Sequence, residues 1–562
     1  MSNPPTPALM TRRGAVPLPR VALLLLCAAY VLPGLFGRDP WRNADLAAYG
    51  LMSAMAEGRS PWLTPMLGGQ VVDSALLPHW LGAASIWLLG PLLGGPAAAR
   101  VPFALLLVTT LVLVWYASYH LARTEAAQPL AFAFGGEATP VDYARAMADA
   151  TLLALIACLG LLQLGHETTP ELAQLCAVAA VLWALAAAPY RPLGAPTALL
   201  LALPALAASG APAVALGIGL GGTLVCARSG YAQVRRIAPW VATAAGLAAV
   251  AGWLGDTWAW RIVDAWTAAD VASILRQWAW FLWPAWPAAL WTLWRWRRHW
   301  LHRHVSVPLV LVLAAGTASV LMRGSDRALM LALPGLAVLA AFALPTLRRS
   351  ASAAVDWLSM SFFSLSAIAV WVIYVAMHTG VPAKPAANVA KLAPAFEPLF
   401  SVVDLAPAVL ATLAWLWLLR WRTGRHREAV WKSMALPAGG VVLAWLLLMT
   451  LWRPLLDHAR SARPWVEALQ QPLAGAGCVA APGLSTALVA ALEVHGGWRV
   501  RNTAEDGPAQ AQPCDARILV LRDQPGEATP PPAPAGWVLT DTLRRPTDRN
   551  ELTAVWRRSV PE

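Results

Sequence analysis

The chain has 562 residues, 58% of them hydrophobic and 13% charged, against roughly 25% charged in ordinary soluble domains. That balance excludes both a soluble globular protein and a disordered one. The 42 Lys and Arg exceed the 30 Asp and Glu by 12, but the positives fall in short clusters between apolar runs, as orienting signals do, and not on one face suited to nucleic acid.

The chain opens with Arg12, Arg13 and Arg20 ahead of an apolar run from Val21 to Gly37. No small-residue cleavage site follows and more apolar runs do, so this reads as an uncleaved first helix. A spanning helix needs about 20 apolar residues. Runs near 18–37, 76–95, 99–122, 148–165, 170–188, 192–208, 211–228, 236–254, 276–294, 304–323, 327–346, 357–379, 402–420 and 433–453 qualify, about fourteen in all. The 76–95 run is interrupted by Gly82, Gly90-Pro91 and Gly94-Gly95-Pro96 and is expected to lie broken in the outer interface without crossing.

Thirteen crossings from a cytoplasmic N-terminus then place every dense basic cluster inside, at 228–236, 295–303, 348–349 and 420–427, as the positive-inside tendency demands. A full crossing at 76–95 would turn all the later clusters outward. The expected fold class is an all-α polytopic membrane protein of about 13 spans whose C-terminus lies outside. Many of the 31 tryptophans, such as Trp278, Trp280, Trp283, Trp286 and Trp291, sit at run ends. They read as interfacial anchors, with a minority free to line a groove for an apolar tail.

The composition changes beyond Arg453. Residues 458–562 mix helical patterning (464–473, 484–494) with strand-like runs (477–480, 517–521, 537–539) and a Pro-rich loop at 530–534. This is expected to be a small α/β domain, giving a division into a transmembrane domain 1–457, with 38–98 as its first outer loop, and a domain 458–562. Cys27, Cys158, Cys176 and Cys226 lie in apolar runs without metal-ligand spacing and read as core packing. Cys478 and Cys514 either pair, if their segment faces an oxidising compartment, or are two unrelated thiols.

Three polar features gather on the expected outer face: Asp39, Asp45 and Asp73 in the first loop, Arg100-Val101-Pro102 at the next helix, and His166-Glu167-Thr168-Thr169-Pro170-Glu171. Ionisable groups at the mouth of a helix bundle point to function. A carboxylate there can act as general base, two can share a divalent cation, and an arginine can grip a phosphate bidentately. Each has a plainer reading: Asp39 as a solvated loop residue, Asp45 as the N-cap of an amphipathic helix 46–57, Arg100 as an interfacial anchor. His166 with Glu167 and Glu171 lacks the paired histidines of a strong metal motif.

The order of these features resembles the polyprenyl-phosphate-dependent glycosyltransferases of the GT-C superfamily, the bacterial family related to protein O-mannosyltransferases and lipid A 4-amino-4-deoxy-L-arabinose transferases. The likeness is carried by Asp45, the helix to Glu57-Gly58, Trp62-Leu63-Thr64-Pro65, Gly68-Gly69, and Asp73 to Leu77 before Trp80. It continues through Arg100-Val101-Pro102, Glu171 with Glu167 competing, Ser209-Gly210-Ala211-Pro212, Phe281-Leu282-Trp283-Pro284, and Arg327 to Pro334. Three positions depart from the family pattern: Leu46 replaces a glutamate, and Ser74 and Ser209 replace lysines that would neutralise the donor phosphate.

The resemblance implies an inverting membrane glycosyltransferase that moves a sugar from a polyprenyl (undecaprenyl) phosphate to a lipid, glycan or protein acceptor outside a bacterial inner membrane. It implies Asp45 as the base, with Arg100 and Arg327 holding phosphate. Asp73 and Glu171 would bind a divalent metal or orient the sugar, and Arg42 and His79 would stand among the substrate-binding residues. Arg42, Arg59, Arg100 and Arg327 are the arginines available to replace the missing lysines. The donor, the acceptor and membrane lipids are the expected partners, and nucleic acid is not. A lipid-linked sugar transporter and a non-catalytic polyprenyl-phosphate-binding relative are the alternatives.

Overall fold

Every one of the fourteen apolar runs is helical in the computed structural model, which describes residues 6–558 apart from 42, 73–74, 134, 259–266, 425–428, 503–513, 523–531, 534–535 and 546–547. Among the described residues eight helices are long and apolar enough to cross a membrane, including 95–122, 303–321 and 350–379. Shorter apolar helices such as Arg20–Val31, Gly194–Ala208 and Pro212–Ala227 accompany them. Proline and glycine explain several of the short ones. The run 276–294 is two helices, Ala268–Phe281 and Ala285–Arg295, divided at the Leu282-Trp283-Pro284 turn, because the ring of a proline cannot sit inside a helix without disrupting the preceding turn.

The chain forms two units. The first comprises 1–33, 103–368 and 405–450, and its core is built on Pro140–Ala157 and Leu333–Ala343. Pro140–Ala157 starts earlier than its apolar run because Thr139 accepts the Asp142 amide at 3.2 Å as an N-cap. It also carries a buried carboxylate, Asp149, which accepts from the Leu18 amide and from Trp115 Nε1, both at 2.8 Å. Every residue of Leu333–Ala343 is buried, so it is a helix enclosed by others and not a lipid-facing one. Gly160 and Gly440 let helices approach closely, since a Cβ on either would collide with the ring of Phe281 or Phe363.

The second unit comprises 34–102, 369–404 and 451–562. It therefore groups the first loop with the C-terminal segment, a division different from the expected linear one at 457. The contacts give the reason. Helix Ala44–Ala56 packs on Thr486–Gly496, where Gly50 meets Ala490 with no room for a Cβ. A two-residue-per-strand hairpin, β1 (Met66–Leu67) and β2 (Gln70–Val71), is bonded to the C-terminal segment through Asn502 N to Gly68 O at 2.8 Å and Gln70 Nε2 to Asn502 O at 2.7 Å. Glu493 completes the join, accepting from Arg59 Nη1 at 2.6 Å and from the Gly68 amide at 3.2 Å.

The α/β domain is present, with a five-stranded sheet of β3 (Cys478–Ala480), β4 (Arg499–Arg501), β5 (Ala516–Arg522), β6 (Trp537–Arg545) and β7 (Asp548–Arg558) in the order β4-β3-β5-β7-β6. The first three strands are parallel and the rest antiparallel. Cys478 and Cys514 form a disulfide. The expected Pro-rich loop falls largely outside the described residues.

Two expectations about the first loop are corrected. The 76–95 run is not broken: Leu76–Leu93 is one continuous helix, long enough to cross a membrane, and Gly94 at φ 78° stops it. Gly82 there serves close packing, since a Cβ would collide with the Met52 side chain. Helix Ala44–Ala56 is not amphipathic: from Asp45 to Met55 all but Ala47 are buried.

Candidate functional site

The site is built from the second unit's polar residues. The chain enters helix Ala44–Ala56 through Asn43, a residue type that tolerates the left-handed region, at φ 69°. This tight entry turns Asp45 back toward the preceding strand of chain, and its Oδ2 accepts the Trp41 amide at 3.2 Å. Asp45 is 1% exposed. Its counter-charge is Arg38, whose Nη2 stands 3.4 Å away and whose guanidinium lies 4.6 Å from the centre of the Trp41 ring. The N-cap position belongs to Asn43, so Asp45 is not the N-cap residue.

Arg100 is set by the proline that follows it. Pro102 has no N–H for the Ala98 carbonyl one turn back, and Ser85 Oγ takes that bond at 2.6 Å, fastening helix Gly95–Ala122 to Leu76–Leu93 at this level. Arg100 is 4% exposed, and among the described residues it has no ion pair and no hydrogen bond; its Nε is buried and unpartnered. The charges of Arg38, Asp45, Asp457 and Asp39 all act on it. It is therefore a buried cation held beside carboxylates with its planar donor fork unused, the state suited to an incoming anion.

Asp39 is not a solvated loop residue. Its carboxylate accepts two bonds from Arg463 at 2.9 Å and one from Ser461 Oγ at 3.1 Å. Burial alone would raise its pKa, but these partners hold it below the usual aspartate value. Asp457, a residue the sequence reading passed over as the end of the membrane domain, belongs here too. Its Oδ1 accepts Trp41 Nε1 at 2.9 Å and the Asp39 amide at 3.3 Å. Burial pushes its pKa up to about 6, with Asp39 adding to the effect and Trp41 and Arg38 opposing it. One signal was available: Asp457 lies in a short polar helix just past the last apolar run, the same kind of mouth that drew attention to Asp45.

The remaining residues of interest divide as follows. Arg42, Asp73 and Ser74 lie outside the described residues. His79 is buried with Nδ1 on the Ala75 carbonyl one turn back. Arg59 is committed to Glu57 at 2.8 Å and Glu493 at 2.6 Å. In the first unit, Arg327 is bonded to Glu167 at 2.6 Å, Glu171 at 3.2 Å and Thr169 Oγ1 at 3.0 Å, so both carboxylates that follow the 148–165 run meet one arginine. His166 bridges the Leu162 and Tyr30 carbonyls at 2.8 Å each. Ser209 is buried, with its carbonyl on Gln174 Nε2 at 2.6 Å. Among the described residues no group of three or more His, Cys, Asp and Glu is arranged to hold a metal ion.

Of the four arginines that could replace the missing lysines, Arg59 and Arg327 are occupied by carboxylates and Arg42 is not described. Arg100 is the one whose donors are free among the described residues.

No family model and no curated protein matches this chain. Two solved structures do match in fold. They are ArnT from Cupriavidus metallidurans bound to undecaprenyl phosphate, with a TM-score of 0.57 at 15% identity, and the same protein in the apo state, with a TM-score of 0.56 at 16% identity. Each match covers 95% of this chain and 96% of the other. The chain is thus a polytopic membrane protein with a small C-terminal α/β region, and over nearly its whole length it has the fold of ArnT.

Proposed function

We propose that this protein is a membrane glycosyltransferase that moves a sugar from a polyprenyl phosphate to an acceptor on the outer side of a bacterial inner membrane. The observation that carries the reading is the buried pair of an aspartate, Asp45, and an arginine with unused donors, Arg100, in one unit of a chain with the fold of a protein solved with undecaprenyl phosphate.

In this mechanism the acceptor hydroxyl or amine attacks the anomeric carbon. The bond between that carbon and the phosphate oxygen breaks, and its electron pair leaves with the polyprenyl phosphate. Asp45 accepts the acceptor's proton, a role worth about 10²–10⁴ in rate for a positioned general base. Arg100 meets the charge that develops on the departing phosphate, where a pre-placed cation in a dry site counts most. Arg38 holds the Asp45 carboxylate in place between bonds. No reacting atom is assigned to Glu171 or Arg327, which are bonded to each other. The topology that goes with this reading has a cytoplasmic N-terminus and an external C-terminal domain.

The test is transfer of radiolabelled sugar from polyprenyl-phosphate donors to an envelope lipid fraction in proteoliposomes, with wild type against Asp45→Asn. Transfer that falls at least about a hundredfold in the variant supports the reading, and equal transfer by the two proteins ends the role of Asp45. A wild type that binds polyprenyl phosphate yet transfers from no donor turns the reading into the binding one, which Ser74 and Ser209 in place of lysines would then explain.

A further inference from the structure

The first unit holds a second concentration of cations, independent of Asp45 and Arg100. Arg303 opens helix Arg303–Leu321 and is 4% exposed. One terminal nitrogen, Nη2, is bonded to the carbonyls of Leu185 and Ala186 at the end of Pro170–Ala187, a common use of arginine at a helix C-terminus. That use leaves the other donors over: Nε and Nη1 are buried with no hydrogen-bond partner among the described residues.

What surrounds Arg303 is also cationic. The ring of Tyr190, just beyond the same helix end, stacks on His120 at 5.3 Å, and the Arg123 guanidinium lies 4.8 Å from the Tyr190 ring centre. The charges of Arg123, Arg191 and Arg303 all act on His120, and Arg303 interacts with Tyr190 and Tyr231. His120 Nδ1 is likewise buried and unpartnered among the described residues. Among those residues no Asp or Glu pairs with Arg123, Arg191 or Arg303.

Three guanidiniums converging without a carboxylate among the described residues repel one another, and a buried cation without a counter-charge is costly. The free polar groups are guanidinium, imidazole and phenol, so the complement they lack is an anion rich in acceptor oxygens. Planar arginine forks fit a phosphate in particular. The cluster has an entrance, because Arg191 is exposed, Arg123, Tyr190 and Tyr231 are half-buried and Arg303 forms the floor. Exposed apolar side chains adjoin it in sequence, Leu193 beside Arg191 and Trp300 and Leu301 beside Arg303, which suits a ligand that carries acyl chains as well as charge.

We propose that Arg123, Arg191 and Arg303, with His120, Tyr190 and Tyr231, bind the phosphate of an anionic phospholipid headgroup. Basic pockets between membrane helices are a recurring means of holding such headgroups. Its occupant ties the end of Pro170–Ala187 to the start of Arg303–Leu321 through a shared counter-ion.

The experiment is native mass spectrometry of the full chain in detergent with phosphatidylglycerol, with phosphatidylcholine of the same acyl chains, and with inorganic phosphate. The proteins are wild type, Arg123→Gln/Arg191→Gln, and a control with two exposed arginines changed, Arg348→Gln/Arg420→Gln. Wild type and control should retain phosphatidylglycerol over phosphatidylcholine, and Arg123→Gln/Arg191→Gln should lose about tenfold or more of that retention, the weight of two arginines near a headgroup. Equal retention of the two lipids by wild type, or undiminished phosphatidylglycerol binding by Arg123→Gln/Arg191→Gln, overturns the site. Inorganic phosphate that displaces the lipid and protects wild type from thermal unfolding equally well assigns the cluster to a soluble anion and overturns the lipid part. Arg303 is left unchanged throughout because its loss also removes the helix cap.

Discussion

Asp457 Oδ1 accepts the Trp41 indole N–H at 2.9 Å, and this bond fixes the stretch of chain from which Asp45 is hung. Trp41 supplies its backbone amide to Asp45, its ring to Arg38 and its indole nitrogen to Asp457. A residue more than 400 positions away thus sets the geometry of the first loop.

The state of Asp457 is expected to be visible in stability. Burial raises its pKa from 3.8 to about 6 in the folded protein, so between those values the folded state holds a proton that the unfolded state has released. Stability therefore falls as pH rises through that window, and above it the cost of the buried charge is complete, on the order of 2–3 kcal/mol. Asp457→Asn keeps an acceptor for Trp41 and removes the charge. Its melting temperature relative to wild type should rise between about pH 4 and pH 6 and level off above, by fluorescence-detected unfolding. A difference that stays flat with pH would show that Asp457 does not titrate in this range.

Asp39 carries the opposite sign. Its pKa is held below the usual aspartate value by Arg463 and Ser461 in spite of burial, so the stabilisation is present above the unfolded value near 3.8 and is lost as pH falls through the folded one. Arg463 is half exposed, which screens the pair and makes its contribution small. Arg463→Gln should lower the melting temperature by a few degrees at pH 7, less at high salt, and the gap to wild type should close as pH falls below the unfolded aspartate value.

Much of this fold was legible as hydrophobic run length, because a membrane helix is specified by about 20 apolar residues whatever it packs against. The C-terminal sheet was half legible. Short runs such as 517–521 were found, but Arg499–Arg501 and Asp548–Arg558 were not, since charged residues at strand ends obscure the period-2 apolar signal. Asp45 and Arg100 could be singled out from their place beside apolar runs. Their partners could not, because Asp457, Ser461 and Arg463 reach the loop only through folding. The same limit hid Arg38, which reads as a loop residue and is buried beside Asp45.

Arg100 and Arg327 should respond differently to the same substitution. Arg327 is saturated by Glu167, Glu171 and Thr169, so Arg327→Gln strands two carboxylates and should destabilise the protein by about 1–3 kcal/mol. Arg100 has no hydrogen bond or ion pair to lose among the described residues, so Arg100→Gln should leave the melting temperature within a degree or two of wild type, or raise it. Its effect should fall on ligand binding: polyprenyl phosphate affinity lower by about 10–100-fold, the scale of a charge-assisted pair in a dry site. Arg100→Lys should recover only part of it, because an ammonium lacks the fork. Thermal shift and tritiated polyprenyl phosphate binding on the same preparations separate the two cases. An Arg100→Gln protein that unfolds early and binds normally would remove Arg100 from the site.

The disulfide offers a test of the join between the first loop and the C-terminal segment. Cys478 and Cys514 close a loop of 36 residues, which in the chain-entropy account restricts the unfolded segment by about 4 kcal/mol. Cys478 is in β3, Cys514 stands two residues before β5, and the partner strand β4 leads into Asn502, the residue bonded to the β1–β2 hairpin. Replacing both cysteines by serine should therefore loosen the sheet edge and, through Asn502 and Gly68, the hairpin that follows helix Ala44–Ala56. The expected result by hydrogen exchange is faster exchange at 478–502 and at 66–71 together, with the buried helix Leu333–Ala343 unchanged. Faster exchange at 478–502 alone would show that the hairpin holds its place without the sheet. The second unit's grouping of first loop and C-terminal segment would then rest on the packing of Gly50 against Ala490.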